Sequence, residues 1–122
     1  MDQPIISVID DDASLRRAIV ALVRSLGHIA HGFASAEEFL DAEADTRSDC
    51  IITDIQMPGM SGIDLKEALD RRGLQTPVIM ITARTEAPLL ARAMSSGAAG
   101  LLRKPFEAEA FVQCLEQALS PA

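Results

Sequence analysis

Short apolar runs alternate along the chain with stretches whose apolar residues recur at helical spacing. The first run ends in a cluster of aspartates, and the stretch after it has apolar residues three or four positions apart, as an amphipathic helix requires. Gly27 is predicted to end this helix. The same alternation then repeats four more times, and Ser35 with Glu38 is predicted to form a capping box where the second helix begins. The predicted strands are Ile5–Ile9, His28–Phe33, Cys50–Thr53, Pro77–Ile81 and Ala99–Leu102, and the helices after them begin near Leu15, Ser35, Ile63, Pro88 and Glu107.

The predicted strands are almost entirely apolar, which is typical of strands that are buried on both faces of a sheet. Five strand–helix units in 122 residues therefore predict an α/β fold, with a doubly wound five-stranded parallel sheet between two layers of helices. No linker, repeat or low-complexity segment interrupts the pattern. We expect one domain that covers residues 1–122.

Polar residues stand where the predicted strands end. Asp10, Asp11 and Asp12 follow the first strand, Asp54 follows the third, Thr82 the fourth and Lys104 the fifth. In open α/β sheets, sites form at the carboxyl ends of the strands. The sequence therefore predicts that these side chains converge, although they lie far apart along the chain.

The chemistry of this predicted cluster follows from its charges. Neighbouring carboxylates raise one another's pKa, and a hard divalent cation such as Mg²⁺ removes that conflict. Lys104 adds an ammonium and Thr82 a hydroxyl, which together suit a phosphoryl group held on a carboxylate. Aspartate can itself be the nucleophile that forms an acyl phosphate. Each of these residues alone is common at the end of a strand, and Asp12 is predicted to be a helix N-cap. Only their joint occurrence at the ends of different strands indicates a site.

Composition and charge argue against several classes of function. The net charge is −7 and no basic patch stands out, so we expect no direct contact of this domain with nucleic acid. Cys50 and Cys114 lack the CxxC spacing of a redox or zinc site and are interpreted as small hydrophobes. No signal peptide or membrane-spanning run is seen, which favours the cytoplasm. No Walker loop or GxGxxG occurs either.

Four segments carry a resemblance to a known family. They are VIDDD at Val8–Asp12, TDIQMPGMSG at Thr53–Gly62, PVIMITA at Pro77–Ala83 and GAAGLLRKPF at Gly97–Phe106. Through these segments the chain is similar to receiver domains of bacterial response regulators, most of all to the FixJ-type subgroup. That family implies a flavodoxin-like (βα)5 fold with strand order 2-1-3-4-5. It also implies a phosphorylation switch rather than an enzyme, driven by a sensor histidine kinase and often coupled to a helix-turn-helix output domain.

The resemblance also implies roles for the polar residues that surround Mg²⁺. Asp54 resembles the phosphoacceptor and also a metal ligand. Asp10 and Asp11 resemble the acidic pair that holds Mg²⁺, with Asp11 as the expected direct ligand. The backbone carbonyl of Gln56 resembles the third protein ligand.

The remaining roles concern the switch. Thr82 resembles the hydroxyl that moves toward the phosphoryl group, and Lys104 the lysine that pairs with its oxygens. Pro105 resembles the cis proline of the family. The sequence departs from the usual pattern at Leu101, where many receivers carry an aromatic residue. The aromatic part of the switch is therefore not expected here.

Two alternatives to this function stay open at the level of sequence. Asp10-Asp11-Asp12-Ala13-Ser14 also resembles the DxDx[ST] motif of haloacid-dehalogenase-type phosphatases, with Asp10 as nucleophile. A receiver that is never phosphorylated and acts only as a docking module is the other. The first usually has a second acidic pair late in the chain, whereas Lys104-Pro105-Phe106 stands near that stage with no Asp pair.

The fourth predicted helix carries more apolar residues than one buried face needs. By resemblance to the FixJ-type subgroup, we expect a homodimer through this helix and the fifth strand when the domain is phosphorylated. The opposing interpretation, that these residues simply pack on the sheet, is equally compatible with the sequence. The residues concerned are Leu89, Leu90, Ala93 and Met94, with Arg92 and Arg103 as a polar rim.

Overall fold

The computed structural model describes residues 3–120, so the outermost residues of the expected domain lie outside the described part. Five strands alternate with five helices. The strands are β1 (Ile5–Ile9), β2 (Ile29–Phe33), β3 (Cys50–Asp54), β4 (Val78–Thr82) and β5 (Gly100–Arg103). The helices are α1 (Ala13–Ser25), α2 (Ala36–Asp41), α3 (Gly62–Arg71), α4 (Ala87–Ser95) and α5 (Ala108–Leu119), and a 3₁₀ turn covers Ala44–Thr46.

The sheet confirms the expected fold, because its strands are all parallel in the order β2-β1-β3-β4-β5. Successive side chains of each strand point to opposite faces, and each face is buried by its own set of helices. On one face the core takes side chains from α2, α3 and α4, including Phe39 and Leu65. On the other face it takes side chains from α1 and α5, including Val23 and Phe111.

The ends of the elements differ from the expectations by one or two residues, and the 3₁₀ turn was not predicted. The capping box expected at Ser35 is only half formed. Ser35 accepts from the Glu38 N–H, but the Glu38 carboxylate accepts from the N–H of Ala34 rather than from that of Ser35. A complete capping box instead joins Ser61 and Asp64 at the start of α3.

The two cysteines are both free thiols, in agreement with the sequence. Cys50 is fully buried in β3, and burial raises the pKa of its thiol to about 12. Cys114 on α5 is partly buried, and burial raises its thiol pKa as well. Among residues 3–120, no helix has the length and apolar character needed to cross a bilayer.

Candidate functional site

Three aspartates meet at the carboxyl ends of β1 and β3. One carboxylate oxygen from each of Asp10, Asp11 and Asp54 lies within 4.8 Å of the others. Asp10 and Asp54 are buried, at 1% and 7% exposure, whereas Asp11 is exposed. The cluster therefore opens to solvent on the side of Asp11.

The register of the sheet explains why these residues are neighbours. Ile9 of β1 is paired with Thr53 of β3, so Asp10 and Asp54, each one residue further along, lie side by side. Apart from Ser7 in β1 and Thr53 in β3, both strands are apolar up to this point, and their acidic residues begin together where the strands end. Asp12 then caps α1, because its carboxylate accepts from the N–H groups of Ser14 and Leu15, as predicted.

Lys104 reaches the cluster from the end of β5. Its backbone N–H donates to the carbonyl of Thr82 at 2.8 Å, which continues the pairing of β4 with β5. Its ammonium nitrogen lies 3.3 Å from Asp54 Oδ2 and 3.7 Å from Asp10 Oδ2. One ammonium is therefore shared between two buried carboxylates, and the peptide bond after it, to Pro105, is cis, as the resemblance implied.

The electrostatics of the cluster disfavour three ionised carboxylates. Burial raises the pKa of Asp10, which the Asp12 N–H and Lys104 offset only in part. Burial also raises the pKa of Asp54, with Lys104 lowering it and Asp10 raising it further. Asp10 Oδ2 is buried and has no hydrogen-bond partner within the described chain. An oxygen-only cluster with excess negative charge and an unpartnered oxygen is able to hold a hard metal ion.

Thr82 is buried at the end of β4 and lies one residue before the exposed Ala83. Its Oγ accepts from the Arg84 N–H at 2.9 Å, and no hydrogen bond joins it to Asp54 among residues 3–120. The exposed Gln56 follows β3 by two residues, and its N–H, directed at the Asp54 carboxylate, lowers the pKa of that group. The structure thus brings Lys104 and the aspartates together, with Thr82 and Gln56 at the edge.

Three residues that support the site were not found from the sequence. Arg16 Nη1 donates to the backbone carbonyl of Asp10 at 2.6 Å. Glu37 of α2 accepts from the Met60 N–H at 2.9 Å and so ties α2 to the loop after Asp54. Gly62 allows α3 to start against β3, since a Cβ there would stand 2.5 Å from the Asp54 carbonyl oxygen. Each of these contacts joins two different elements or loops, so no short sequence motif predicts it.

An opening of about 540 Å³ lies beside the cluster, between the start of α1 and the loops that follow β4 and β5. Lys104 lies at its inner side, and Ala83 and Phe106 contribute to its walls. Leu101, at the position where many receivers have an aromatic residue, is partly buried and packs on the core of the α2–α4 face. The cluster is therefore accessible through a partly apolar entrance.

Comparison with known proteins agrees with this arrangement. The family model described as "Response regulator receiver domain" matches residues 6–116. The chain is 39% identical over 114 residues to the transcriptional regulatory protein FixJ of Azorhizobium caulinodans, covering 93% of this chain and 54% of that protein. It is 35% identical over 118 residues to the response regulator protein TodT of Pseudomonas putida, covering 97% and 52%. The chain thus spans about half the length of the curated relatives it matches.

Solved structures show the same likeness. The chain superposes on the structure described as "Crystal structure of FixJ-N" with a TM-score of 0.88 and 30% identity, covering 98% of this chain and 95% of that one. It superposes on the chemotaxis protein CheY4 of Vibrio cholerae with a TM-score of 0.86 and 29% identity, covering 96% and 99%. The match of the family model over most of the chain, together with these likenesses, establishes the family of the chain. The chain belongs to the response regulator receiver domain family.

Proposed function

We propose that this chain is a phosphorylation switch that accepts a phosphoryl group from a sensor histidine kinase on Asp54. The observation that carries the proposal is the ammonium of Lys104, 3.3 Å from Asp54 Oδ2 inside a cluster of carboxylates. A lysine placed there balances only part of the charge and is available to pair with phosphoryl oxygens. Receiver domains of transcriptional regulators are signalling proteins rather than conventional enzymes, and this chain is of that kind.

Mg²⁺ is the cofactor that the cluster fits. The residues that would hold it are Asp10, Asp11 and Asp54, with the backbone carbonyl of Gln56 as the fourth protein oxygen. The fit rests on the unpartnered Asp10 Oδ2 and on the burial that raises the pKa of Asp10 and Asp54. When bound, Mg²⁺ would neutralise carboxylate charge and polarise the oxygens of the phosphoryl group.

The transfer itself needs little from the protein except position and charge. A carboxylate oxygen of Asp54 attacks the phosphorus of a phosphohistidine, an O–P bond forms, and the N–P bond breaks with its electron pair left on the imidazole nitrogen. Lys104 is placed to pair with an equatorial oxygen of the phosphoryl group. The Thr82 hydroxyl, whose oxygen accepts only the Arg84 N–H within residues 3–120, keeps its proton for a second oxygen.

The two alternatives left open by the sequence are disfavoured by different observations. Asp10 is a poor nucleophile because it is 1% exposed and its Oδ1 accepts the Asp12 N–H at 2.9 Å. The family assignment also argues against a haloacid-dehalogenase-type phosphatase. A receiver that only docks is disfavoured because Asp54, Lys104 and the acidic pair lie within reach of one another.

The experiment that tests the proposal is phosphorylation by acetyl phosphate with Mg²⁺, followed by borohydride trapping and mass spectrometry. We expect the label on Asp54 and its loss in Asp54→Asn. Asp41→Asn, which changes an exposed aspartate on α2 in the same way, serves as the matched control and should be labelled normally. Labelling of Asp10, or full labelling of Asp54→Asn, would contradict the proposal.

We further propose that phosphorylation favours a homodimer through α4 and β5. Ala93 is buried against the sheet, so it does not contribute to a surface, but Met94 is 53% exposed and Leu89 and Leu90 are only partly covered. Arg92 and Arg103, both exposed, would form a charged rim around this apolar centre. Sedimentation with and without beryllofluoride tests this, and an unchanged monomer at high micromolar concentration would contradict it.

The proposed output is control of transcription through a DNA-binding domain outside residues 1–122. The support is the names of the relatives, a transcriptional regulatory protein and a response regulator, of which this chain spans about half. We assign no nucleic-acid contact to the receiver itself, since its net charge of −7 disfavours the many phosphate contacts that nucleic-acid binding needs.

A further inference from the structure

A second cleft, of about 500 Å³, lies beside the edge strand β2. It opens where the six-residue α2 and the 3₁₀ turn after it leave part of β1 and β2 uncovered. Ser7 of β1 and His31 of β2 line it together with Ser48, and Arg24 and Arg47 stand at its sides. The acidic cluster contributes no residue to it.

The charge of this cleft is opposite to that of the whole protein. Its lining includes two arginines and a histidine and no acidic residue. An adjoining depression shares Arg24 and Gly32 with it and adds Arg16 and Arg17, again without an acid. The expectation that no basic patch exists was therefore wrong for the folded chain, because the arginines come from α1 and from the segment before β3 and meet only in space.

The two guanidinium groups are anchored but not neutralised. Arg24 Nη2 donates to the carbonyl of Ala30 at 2.9 Å, and Arg47 Nη2 donates to the carbonyl of Ala42 at 2.7 Å. Neither group forms an ion pair within residues 3–120. A guanidinium has five N–H donors, so each keeps several for a ligand while a backbone bond limits its motion.

The cleft also contains two buried hydroxyl groups. Ser7 is 1% exposed although it lies inside an otherwise apolar strand, and its Oγ lies 2.7 Å from that of Ser48. Ser48 also donates to the carbonyl of Ala44 at 2.7 Å. The pair ties β1 to the 3₁₀ turn and holds polar atoms at the base of the cleft, near the arginines.

We propose that this cleft is a binding site for a small anion that carries phosphate or carboxylate groups. Its volume is within the range of small-molecule sites, and a guanidinium group suits such oxyanions because it can donate two parallel N–H bonds to them. A symmetric contact with a second copy of this chain is disfavoured, because it would bring like charges together. The site does not depend on phosphorylation of Asp54, so the two proposals can fail separately.

The test is a titration of the ¹⁵N-labelled chain with inorganic phosphate and, separately, with succinate, without divalent cations and at constant ionic strength set with chloride. We expect saturable shifts of the amides of Gly32 and Ser48. Arg24→Gln with Arg47→Gln should weaken binding by about tenfold or more. The matched control, Arg71→Gln with Arg84→Gln, removes the same charge from two exposed arginines outside both the cleft and the proposed dimer surface, and should bind as the parent chain does.

Amide shifts that do not saturate would overturn the proposal. Equal weakening of binding in both double variants would overturn it as well. If the cleft variant does not fold, Arg47→Gln alone carries the comparison, with Arg71→Gln as its control. A short glutamate-rich peptide forms the last arm of the test. Saturation by the peptide, with no response to phosphate or succinate, would also overturn the small-anion proposal and assign the cleft to a protein segment.

Discussion

Replacing Asp54 with asparagine should stabilise the domain in the absence of divalent cations. The Asp10 and Asp54 carboxylates lie within 4.8 Å, where two unit charges repel by roughly 3 to 4 kcal/mol at an effective dielectric constant near 20. The Lys104 ammonium, 3.3 Å from Asp54, attracts by about 5 kcal/mol on the same scale. The attraction exceeds the repulsion by about 1 to 2 kcal/mol on this scale, so the sign depends on whether the desolvation cost is larger than that difference.

Desolvation is the largest cause that raises the pKa of Asp54. Asparagine removes that cost and the repulsion, while Lys104 keeps Asp10 as a partner at 3.7 Å. We therefore expect Asp54→Asn to raise the free energy of unfolding near neutral pH, by an amount on the order of 1 kcal/mol, the usual size of a single-substitution effect. The exposed Asp41→Asn should change it by less than about 0.5 kcal/mol.

The pH dependence follows from the direction of the pKa shift. Above the ordinary value of 3.8 and up to the raised pKa, the folded state keeps the Asp54 proton that the unfolded state loses. The parent chain therefore loses stability relative to Asp54→Asn as pH rises through this window. The difference should fade as pH falls toward 3.8, where both states are protonated.

Urea unfolding followed by circular dichroism, with and without Mg²⁺, measures this difference directly. Mg²⁺ should stabilise the parent chain more than the variant, because binding to the folded state alone adds stability and Asp54 is a proposed ligand. If Asp54→Asn is less stable than the parent near neutral pH without Mg²⁺, the Lys104 attraction outweighs desolvation and the reasoning is refuted.

Two further substitutions probe the residues that support the site. Glu37→Ala should weaken Mg²⁺ affinity by about two- to fivefold, because the Met60 N–H loses its acceptor. Glu37→Gln keeps an acceptor oxygen and should restore the affinity. Equal losses of affinity in both variants would contradict the role of Glu37 in supporting the site. Gly62→Ala should cost about 1 to 3 kcal/mol in urea unfolding, since the new methyl meets backbone at 2.5 Å. Gly32→Ala, whose methyl meets the flexible stem of Arg16 at 3.2 Å, should cost less, and the reverse order would contradict the packing argument.

The order of the elements was predictable because buried strands and amphipathic helices leave different periods in a sequence. Runs such as Cys50–Thr53 contain no polar residue except at the end, so the position of Asp54 at a strand end followed directly. The convergence of Asp10 and Asp54 followed from the general geometry of parallel sheets. The expected strand order already placed β1 beside β3, but the residue-by-residue register that makes Asp10 and Asp54 adjacent could not be obtained from the sequence.

Contacts between distant segments account for most of what the sequence did not reveal. The hydrogen bond from the Met60 N–H to Glu37 spans a sequence separation of 23, so no local motif predicts it. The basic cleft is a similar case, since Arg24 and Arg47 stand among ordinary helix and loop residues until the chain folds. The half-formed capping box at Ser35 is a smaller error. The residue types were correct, but the Glu38 carboxylate accepts from the N–H of Ala34 instead of that of Ser35.

The charge balance of the acidic cluster explains why it suits a switch. Two buried carboxylates share one ammonium beside a third, exposed carboxylate, and the proposed phosphoryl group on Asp54 would add further negative charge to a site short of positive partners. We therefore expect the phosphorylated state to depend on groups that can move toward the new oxygens. Thr82 is a candidate, because among residues 3–120 its Oγ accepts only the Arg84 N–H from the loop before α4. Movement of Thr82 would draw on the same loop that leads into α4. Because Leu101 is already packed on the core, we expect that loop, rather than a swinging aromatic ring, to connect Asp54 with the proposed dimer surface.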